Sequence, residues 1–296
     1  MSLSPAQRAE AVKRVNDVHV FPRQCKITRL DTSVGNIEPT PTQEILLDYF
    51  AQYKWTYTVK YRQAMSSVIH IADQLRFVSY TPGSMGMIVG DKEDTYKELM
   101  RRQGIMYEGL HEALKVPLAR EPSADFIVFA KPHDGLIQGI TGGGENPSIG
   151  FSPDYAIVSE YGLYENQETF DGNFTPAINR RPNARCRRET TPGPYNSPAH
   201  LSYKESLGGR GRFRAIFLSW WHDAACICAD PPMPANFRRT PEEDAYAEGV
   251  AGTLPEDTAD SARDEFRILW DTISGRRATW DSDPWVWVVG FSVVPA

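Results

Sequence analysis

The stretch Trp55-Thr-Tyr-Thr-Val-Lys60-Tyr-Arg-Gln-Ala-Met65-Ser-Ser-Val-Ile-His-Ile-Ala-Asp-Gln-Leu75 decides how this chain folds. Trp55 to Lys60 alternates and is rich in β-branched and aromatic residues, which predicts a strand. From Ser66 to Ser79 the spacing turns helical, with Val68, Ile71, Ala72, Leu75 and Val78 on one face. A short polar loop joins the two. A phosphate-binding loop has this local shape: it needs backbone N–H groups at a helix N-terminus, a cationic side chain and a hydroxyl for Mg²⁺. Lys60 and Arg62 offer the cations, and Ser66 or Ser67 the hydroxyl. The loop has no glycine, and the pattern G-x-x-x-x-G-K-[ST] is not met. Taken alone, an ordinary strand-to-helix turn with solvated charges is the simpler reading.

Upstream, the spacing predicts a helix from Thr42, as N-cap, to about Tyr53, with Ile45, Leu46, Tyr49 and Phe50 facing the core. Downstream, Met85 to Gly90 reads as a buried strand. An amphipathic helix is predicted from about Lys92 to Lys115, striped by Tyr96, Leu99, Met106, Leu110 and Leu114. Strands are predicted at Phe126 to Phe129, Leu136 to Ile140, Tyr155 to Val158, Ala184 to Thr190 and Phe213 to Trp220, with a Gly- and Pro-rich loop after Gly142. Strands alternating with helices imply parallel pairing through crossovers, hence an α/β core. The expected division is an N-terminal extension over 1–40, a core domain over 41–235, and an acidic, Pro-containing C-terminal subdomain or truncated linker over 236–296.

Composition narrows the classes. The 296 residues are 41% hydrophobic and 24% charged, as in soluble globular proteins. No apolar run approaches the ~18 residues of a spanning helix, and Met1 to Val20 lacks the apolar stretch of a secretory signal. A cytoplasmic protein without a membrane partner is expected. With 32 Lys+Arg against 38 Asp+Glu, the net charge of −6 argues against coating nucleic acid by bulk electrostatics. Local basic patches remain, at Arg180, Arg181, Arg185, Arg187 and Arg188 and at Arg210, Arg212 and Arg214; gripping DNA phosphates and solvated ion pairing are both open to them. Cys25, Cys186, Cys226 and Cys228 are too few and irregular for a disulfide framework or a zinc site, and reduced thiols are expected. Trp220-Trp-His-Asp223 reads as core tryptophans at a strand end rather than a catalytic His–Asp pair.

Three further segments carry chemistry. Ala156-Ile-Val-Ser-Glu160 is an apolar strand ending in a hydroxyl and a carboxylate, placed to hold Mg²⁺ and to activate water. Glu189-Thr-Thr-Pro-Gly193 is a strand running into a turn whose hydroxyls can sense a terminal phosphate or simply cap the turn. Gln43, at a helix start, can read adenine through its amide or stay solvated.

In order and spacing these segments resemble the ATPase motor domain of the large terminase subunit of tailed bacteriophages, across roughly Arg14 to Thr240. The resemblance rests on Gln43, on Lys60-x-Arg62-Gln63 followed by Ser66-Ser67, on Ser159-Glu160 after a Gly-containing loop, on Glu189-Thr-Thr-Pro-Gly193, and on Phe213-x-x-x-Phe217-x-x-Trp220. It implies a P-loop NTPase core of RecA/ASCE type, with a mainly parallel central sheet flanked by helices. It further implies ATP and Mg²⁺ as ligands, and double-stranded DNA, a portal protein and a small terminase subunit as partners of a homo-oligomeric ring in the host cytoplasm. Lys60 and Arg62 would neutralise phosphate, with Arg62 acting on the transition state, and Gln63 would line the same loop. Ser67 or Ser66, with Ser159, would hold Mg²⁺; Glu160 would activate water; Thr190 and Thr191 would couple hydrolysis to movement; Gln43 would touch adenine.

Met65 departs from the family by standing in the slot of its loop glycine, where a Cβ hinders closure of N–H groups on phosphate. The alternative to an active motor is therefore a degraded terminase-like remnant that binds nucleotide or a partner. A stand-alone helicase-like ATPase is disfavoured, since further helicase motifs are missing. The tail from Trp285 resembles the opening strand of a terminase nuclease, with Ser292 where an acid is expected, and Asp281 and Asp283 read as a polar turn. No nuclease activity is expected, and the length suits a motor alone, from a split gene or a truncated product.

Overall fold

The structure, a computed structural model, describes residues 4–29, 32–142, 152–192, 194 and 196–219. The C-terminal segment over 236–296, Trp220 to Asp223, Cys226, Cys228 and most of the Gly-rich loop after Gly142 lie outside the described residues.

The chain opens with α1 (Pro5–Val15), started by a capping box between Ser4 and Gln7. The strands β1 (Lys26–Thr28) and β2 (Val34–Asn36) pair antiparallel. Helix α2 (Pro41–Gln52) is capped by Thr40, not Thr42 as predicted, because Pro41 fits the first helical position, where its missing N–H costs nothing. The decisive stretch forms β3 (Trp55–Lys60) and α3 (Ser66–Tyr80) as predicted. Next come β4 (Met85–Gly90) and α4 (Glu93–Gly109). The predicted extension of α4 to Lys115 is corrected: the helix stops at Gly109, Leu110 turns extended, and a separate 3₁₀ turn spans Glu112–Leu114.

The remaining strands are β5 (Phe126–Val128), β6 (Leu136–Thr141), β7 (Tyr155–Val158), β8 (Arg185–Thr190) and β9 (Arg214–Leu218). Between the last three lie α5 (Gln167–Asn179) and α6 (Pro198–Leu207). Neither helix was expected from the sequence. Gly172 and Pro176 mask α5, whose burial follows Phe170, Phe174 and Ile178 at four-residue steps.

The sheet has the order β5-β6-β4-β7-β8-β3-β9. Every pair is parallel except β5 with β6, so the predicted mainly parallel α/β core is present. Strand β8 lies between β3 and β7, and this order brings the carboxyl ends of three strands side by side. Helices cover both faces, so β3, β4, β7 and β8 are buried almost throughout. The N-terminal segment is not detached from this body: Val18, Phe21, Cys25 and Ile37 join the same core as Leu46, Ile69 and Leu75. Cys25 and Cys186 are buried free thiols. Among the described residues, no helix is long and apolar enough to cross a membrane.

Two members of the arginine cluster are neither solvated nor available to DNA. Alternation along β8 sends Arg187 to one face and Arg188 to the other. Arg187 is fully buried over the Phe50 ring, 4.1 Å from its centroid, and donates to the carbonyl oxygens of Tyr53 and Phe50. Arg188 pairs with Asp171 and lies 3.9 Å from the ring centroid of Tyr161. Arg180, Arg181, Arg210, Arg212 and Arg214 are exposed.

Candidate functional site

In parallel α/β sheets, ligands gather at the carboxyl ends of the strands. Here that edge collects Lys60 from β3, Ser159 and Glu160 after β7, and Glu189, Thr190 and Thr191 at the end of β8. The register aligns Thr58 with Glu189 and Val59 with Thr190.

Lys60 is 6% exposed, and its Nζ donates to Glu160 Oε1 at 2.8 Å. Burial alone would lower the Lys60 pKa, but Glu189 and Glu160 outweigh it and raise the ammonium above its ordinary range. Glu160 has a left-handed backbone, φ 52°. Its Oε2 accepts from the backbone N and Oγ1 of Thr191, at 3.2 and 3.3 Å. The 3₁₀ turn after it, Tyr161–Leu163, rests on Thr190: Gly162 N donates to Thr190 Oγ1 at 3.0 Å. A Cβ on Gly162 would meet that oxygen at 2.6 Å, so this approach requires glycine.

The loop before α3 carries two left-handed non-glycine residues, Gln63 (φ 65°) and Met65 (φ 51°). Met65 thus takes up the backbone shape for which glycine is suited, at a cost of about 1–2 kcal/mol. Backbone strain of this kind concentrates at functional sites. No side chain caps the start of α3; within it, Val68 N turns back to donate to Met65 O at 3.2 Å. Met65 O accepts from Gln43 Nε2 at 3.0 Å, while Gln43 Oε1 accepts from Thr40 N in the capping box of α2. Gln43 therefore clasps the loop to α2. Arg62 and Gln63 are exposed on the loop, and Arg62 acts electrostatically on Lys60.

Sequence reasoning did not single out the centre of this cluster. Glu189 is fully buried. Its Oε2 accepts from Ser66 Oγ at 2.5 Å; its Oε1 accepts from Ser67 Oγ at 2.8 Å and Ser159 Oγ at 3.1 Å. Burial would raise this carboxyl, yet Lys60, then His70, then the hydrogen bonds from Ser66 and Ser67 hold it at about 2. His70 Nδ1 stands 2.7 Å from Ser66 O and 3.6 Å from Glu189 Oε2. Burial pushes the imidazole pKa down, while the neighbouring Glu189 and the contact with Ser66 O act against that shift. The available signal was a charged residue inside the strand β8, flanked by arginines that drew attention away from it.

The structure thus brings together Lys60, Ser66, Ser67, Ser159, Glu160, Thr190 and Thr191, with Gln43 gripping the loop and Arg62 and Gln63 at its rim. Ser66 occupies the place before Ser67 where the P-loop pattern has lysine, and the lysine of this cluster, Lys60, stands at the end of β3. The donors beside Ser67 are hard oxygens, a set that fits Mg²⁺. No group of three or more His, Cys, Asp or Glu gathers among the described residues, so a metal here would rely on hydroxyls, water and a ligand's own oxygens as well.

No protein-family model matches the sequence, and no curated protein matches it. The HK97 bacteriophage large terminase superposes with a TM-score of 0.56 at 13% identity, over 82% of this chain and 52% of that one. The chain thus spans about half the length of that protein. The large terminase ATPase domain of a Thermus phage gives 0.48 at 15% identity, over 62% of this chain and 82% of that one; the fold assignment rests on the HK97 comparison. The chain has the mainly parallel α/β fold seen in a bacteriophage large terminase.

Proposed function

We propose that the chain is the ATP-hydrolysing motor subunit of a terminase that drives double-stranded DNA into a viral procapsid. The observation that carries this reading is the convergence of Lys60, Ser67, Ser159, Glu160 and Thr191 on the carboxyl edge of three adjacent parallel strands. The HK97 superposition supports the setting.

In this reading the start of α3 and Lys60 hold the triphosphate, and Arg62 swings from the loop onto the terminal phosphate, a contribution of ~10³–10⁵ in rate for such arginines. Ser67 and Ser159 hold Mg²⁺, which supplies charge neutralisation of the phosphate oxygens when bound. Glu160 orients water and accepts its proton. Its carboxylate is shared between Lys60 and Thr191, so release of Lys60 to a phosphate frees Glu160 for water and alters its hold on the end of β8. That link makes Thr190 and Thr191 the coupling elements. Gln43 borders the base while holding Met65 in place. DNA, a portal protein and a small terminase subunit are the partners of the assembled ring.

A second reading, a catalytically degraded terminase-like remnant, is favoured by Met65 in the left-handed loop position and by Ser66 where the pattern has lysine. Mg²⁺-dependent ATP turnover separates the two. The motor reading expects turnover by wild type and a loss on the order of 10²–10⁴-fold in Glu160→Gln with binding retained. Equal, negligible rates in both would leave the remnant.

A further inference from the structure

We propose that Glu189 supplies the carboxylate charge of the Mg²⁺ site, from the strand beside β7, which itself leads into only the hydroxyl of Ser159 at this place. This inference rests on the nucleotide-binding reading above and adds to it a residue and a role.

Three observations carry it. The first is position: Ser67, the hydroxyl placed for Mg²⁺, donates to Glu189 Oε1, and Ser159 donates to the same oxygen. An ion lodged beside Ser67 and Ser159 therefore has this carboxylate as its next oxygen neighbour. Mg²⁺ is usually bound by one or two carboxylates, retained waters and substrate phosphates, and a single acid here is enough.

The second is charge. Lys60 is paired with Glu160 at 2.8 Å and also feels the charge of Glu189. These two carboxylates share that one lysine. Excess negative charge at a site for a triphosphate is repulsive unless a divalent cation enters with it.

The third is cost. A fully buried carboxylate loses several kcal/mol of hydration, and an apolar side chain of similar volume often fills such a place without loss. Three serines from two elements, Ser66 and Ser67 on α3 and Ser159 after β7, converge to satisfy it. An acid so supported, at the ligand edge of the sheet, fits a role toward a cation better than a role in packing.

The test is equilibrium binding of a fluorescent ATP analogue to the full chain, with Mg²⁺ and with EDTA. Wild type is expected to bind more tightly with Mg²⁺ by about tenfold or more, and Glu189→Gln to bring that ratio close to one. Glu189→Gln combined with Ser159→Asp is expected to restore it, because the acid returns from β7. A folded Glu189→Gln that keeps the wild-type ratio overturns the proposal while leaving nucleotide binding intact. So does a wild type that binds equally with and without Mg²⁺. A wild type that binds under neither condition overturns the nucleotide reading itself. Where Glu189→Gln fails to fold, a structure of wild type with Mg²⁺ and a non-hydrolysable ATP analogue decides: Glu189 on the ion or one bound water away supports the proposal, and Glu189 still held by its three serines with the ion elsewhere overturns it.

Discussion

Lys60 Nζ, at the end of β3, lies 2.8 Å from Glu160 Oε1 beyond the end of β7, and β8 runs between the two strands. The pair bridges two non-adjacent strands across the carboxyl edge of the sheet. Lys60 also offsets the buried Glu189. Replacing Lys60 by Met leaves that carboxylate without its cation, a loss of about 3–5 kcal/mol. Glu160→Gln keeps Lys60 for Glu189 and costs only about 1 kcal/mol. Urea denaturation of the two variants checks the difference.

Met65→Gly removes a left-handed non-glycine residue that is 41% exposed. Relief of about 1–2 kcal/mol is set against roughly 0.5–1 kcal/mol for the added freedom of glycine in the unfolded chain. Stability is expected to hold or rise slightly, and ATP affinity to increase, since the loop N–H groups can close on phosphate. Thermal unfolding and isothermal titration measure the two effects.

Asp73 on α3 is buried between Arg76, Arg187 and the Tyr155 hydroxyl, which donates to it at 2.6 Å. Burial would raise its pKa, but the two arginines and this hydrogen bond bring it below the ordinary range. A lowered folded-state pKa adds stability that is present above the ordinary value near ~4 and is lost as pH falls through the lower value. Wild type is therefore expected to lose stability below about pH 4 more steeply than Asp73→Asn, which starts weaker at neutral pH by about 3–5 kcal/mol. Chemical denaturation at stepped pH tests the slope.

For DNA, the exposed arginines are the ones to change. Arg214 opens β9, and Arg180 and Arg181 precede β8, so they lie toward the amino ends of the strands, away from the carboxyl ends that carry Lys60 and Glu160. Arg180→Glu with Arg181→Glu is expected to weaken duplex binding and lower its salt slope by about one unit for each DNA phosphate no longer neutralised. Arg187 and Arg188 variants are expected to act through stability instead. Fluorescence anisotropy over a salt series separates these effects.

The fold was legible where periodicity is unambiguous. Trp55–Lys60, Met85–Gly90 and Tyr155–Val158 alternate or run apolar between clear breakers, and they form β3, β4 and β7 at the predicted residues. Helix α5 was hidden by Gly172 and Pro176, because tertiary burial of its Phe stripe overrides local propensity. At the site, hydroxyls and carboxylates beside strand ends could be named from sequence, and Lys60, Ser67, Ser159 and Glu160 come together. Glu189 could not be ranked, because its role depends on β8 lying between β3 and β7, an order set by long-range pairing. The arginines at 187 and 188 misled for the same reason: a charge-rich strand reads as exposed until both its faces are covered.

The most direct test of the central claim, a triphosphate site built on Lys60, is calorimetric titration of ATP with Mg²⁺ into wild type and Lys60→Met, each shown to be folded at the working temperature. One site per chain is expected in wild type, with affinity at least about tenfold weaker in Lys60→Met. No binding by wild type, or equal affinity in both, would contradict it.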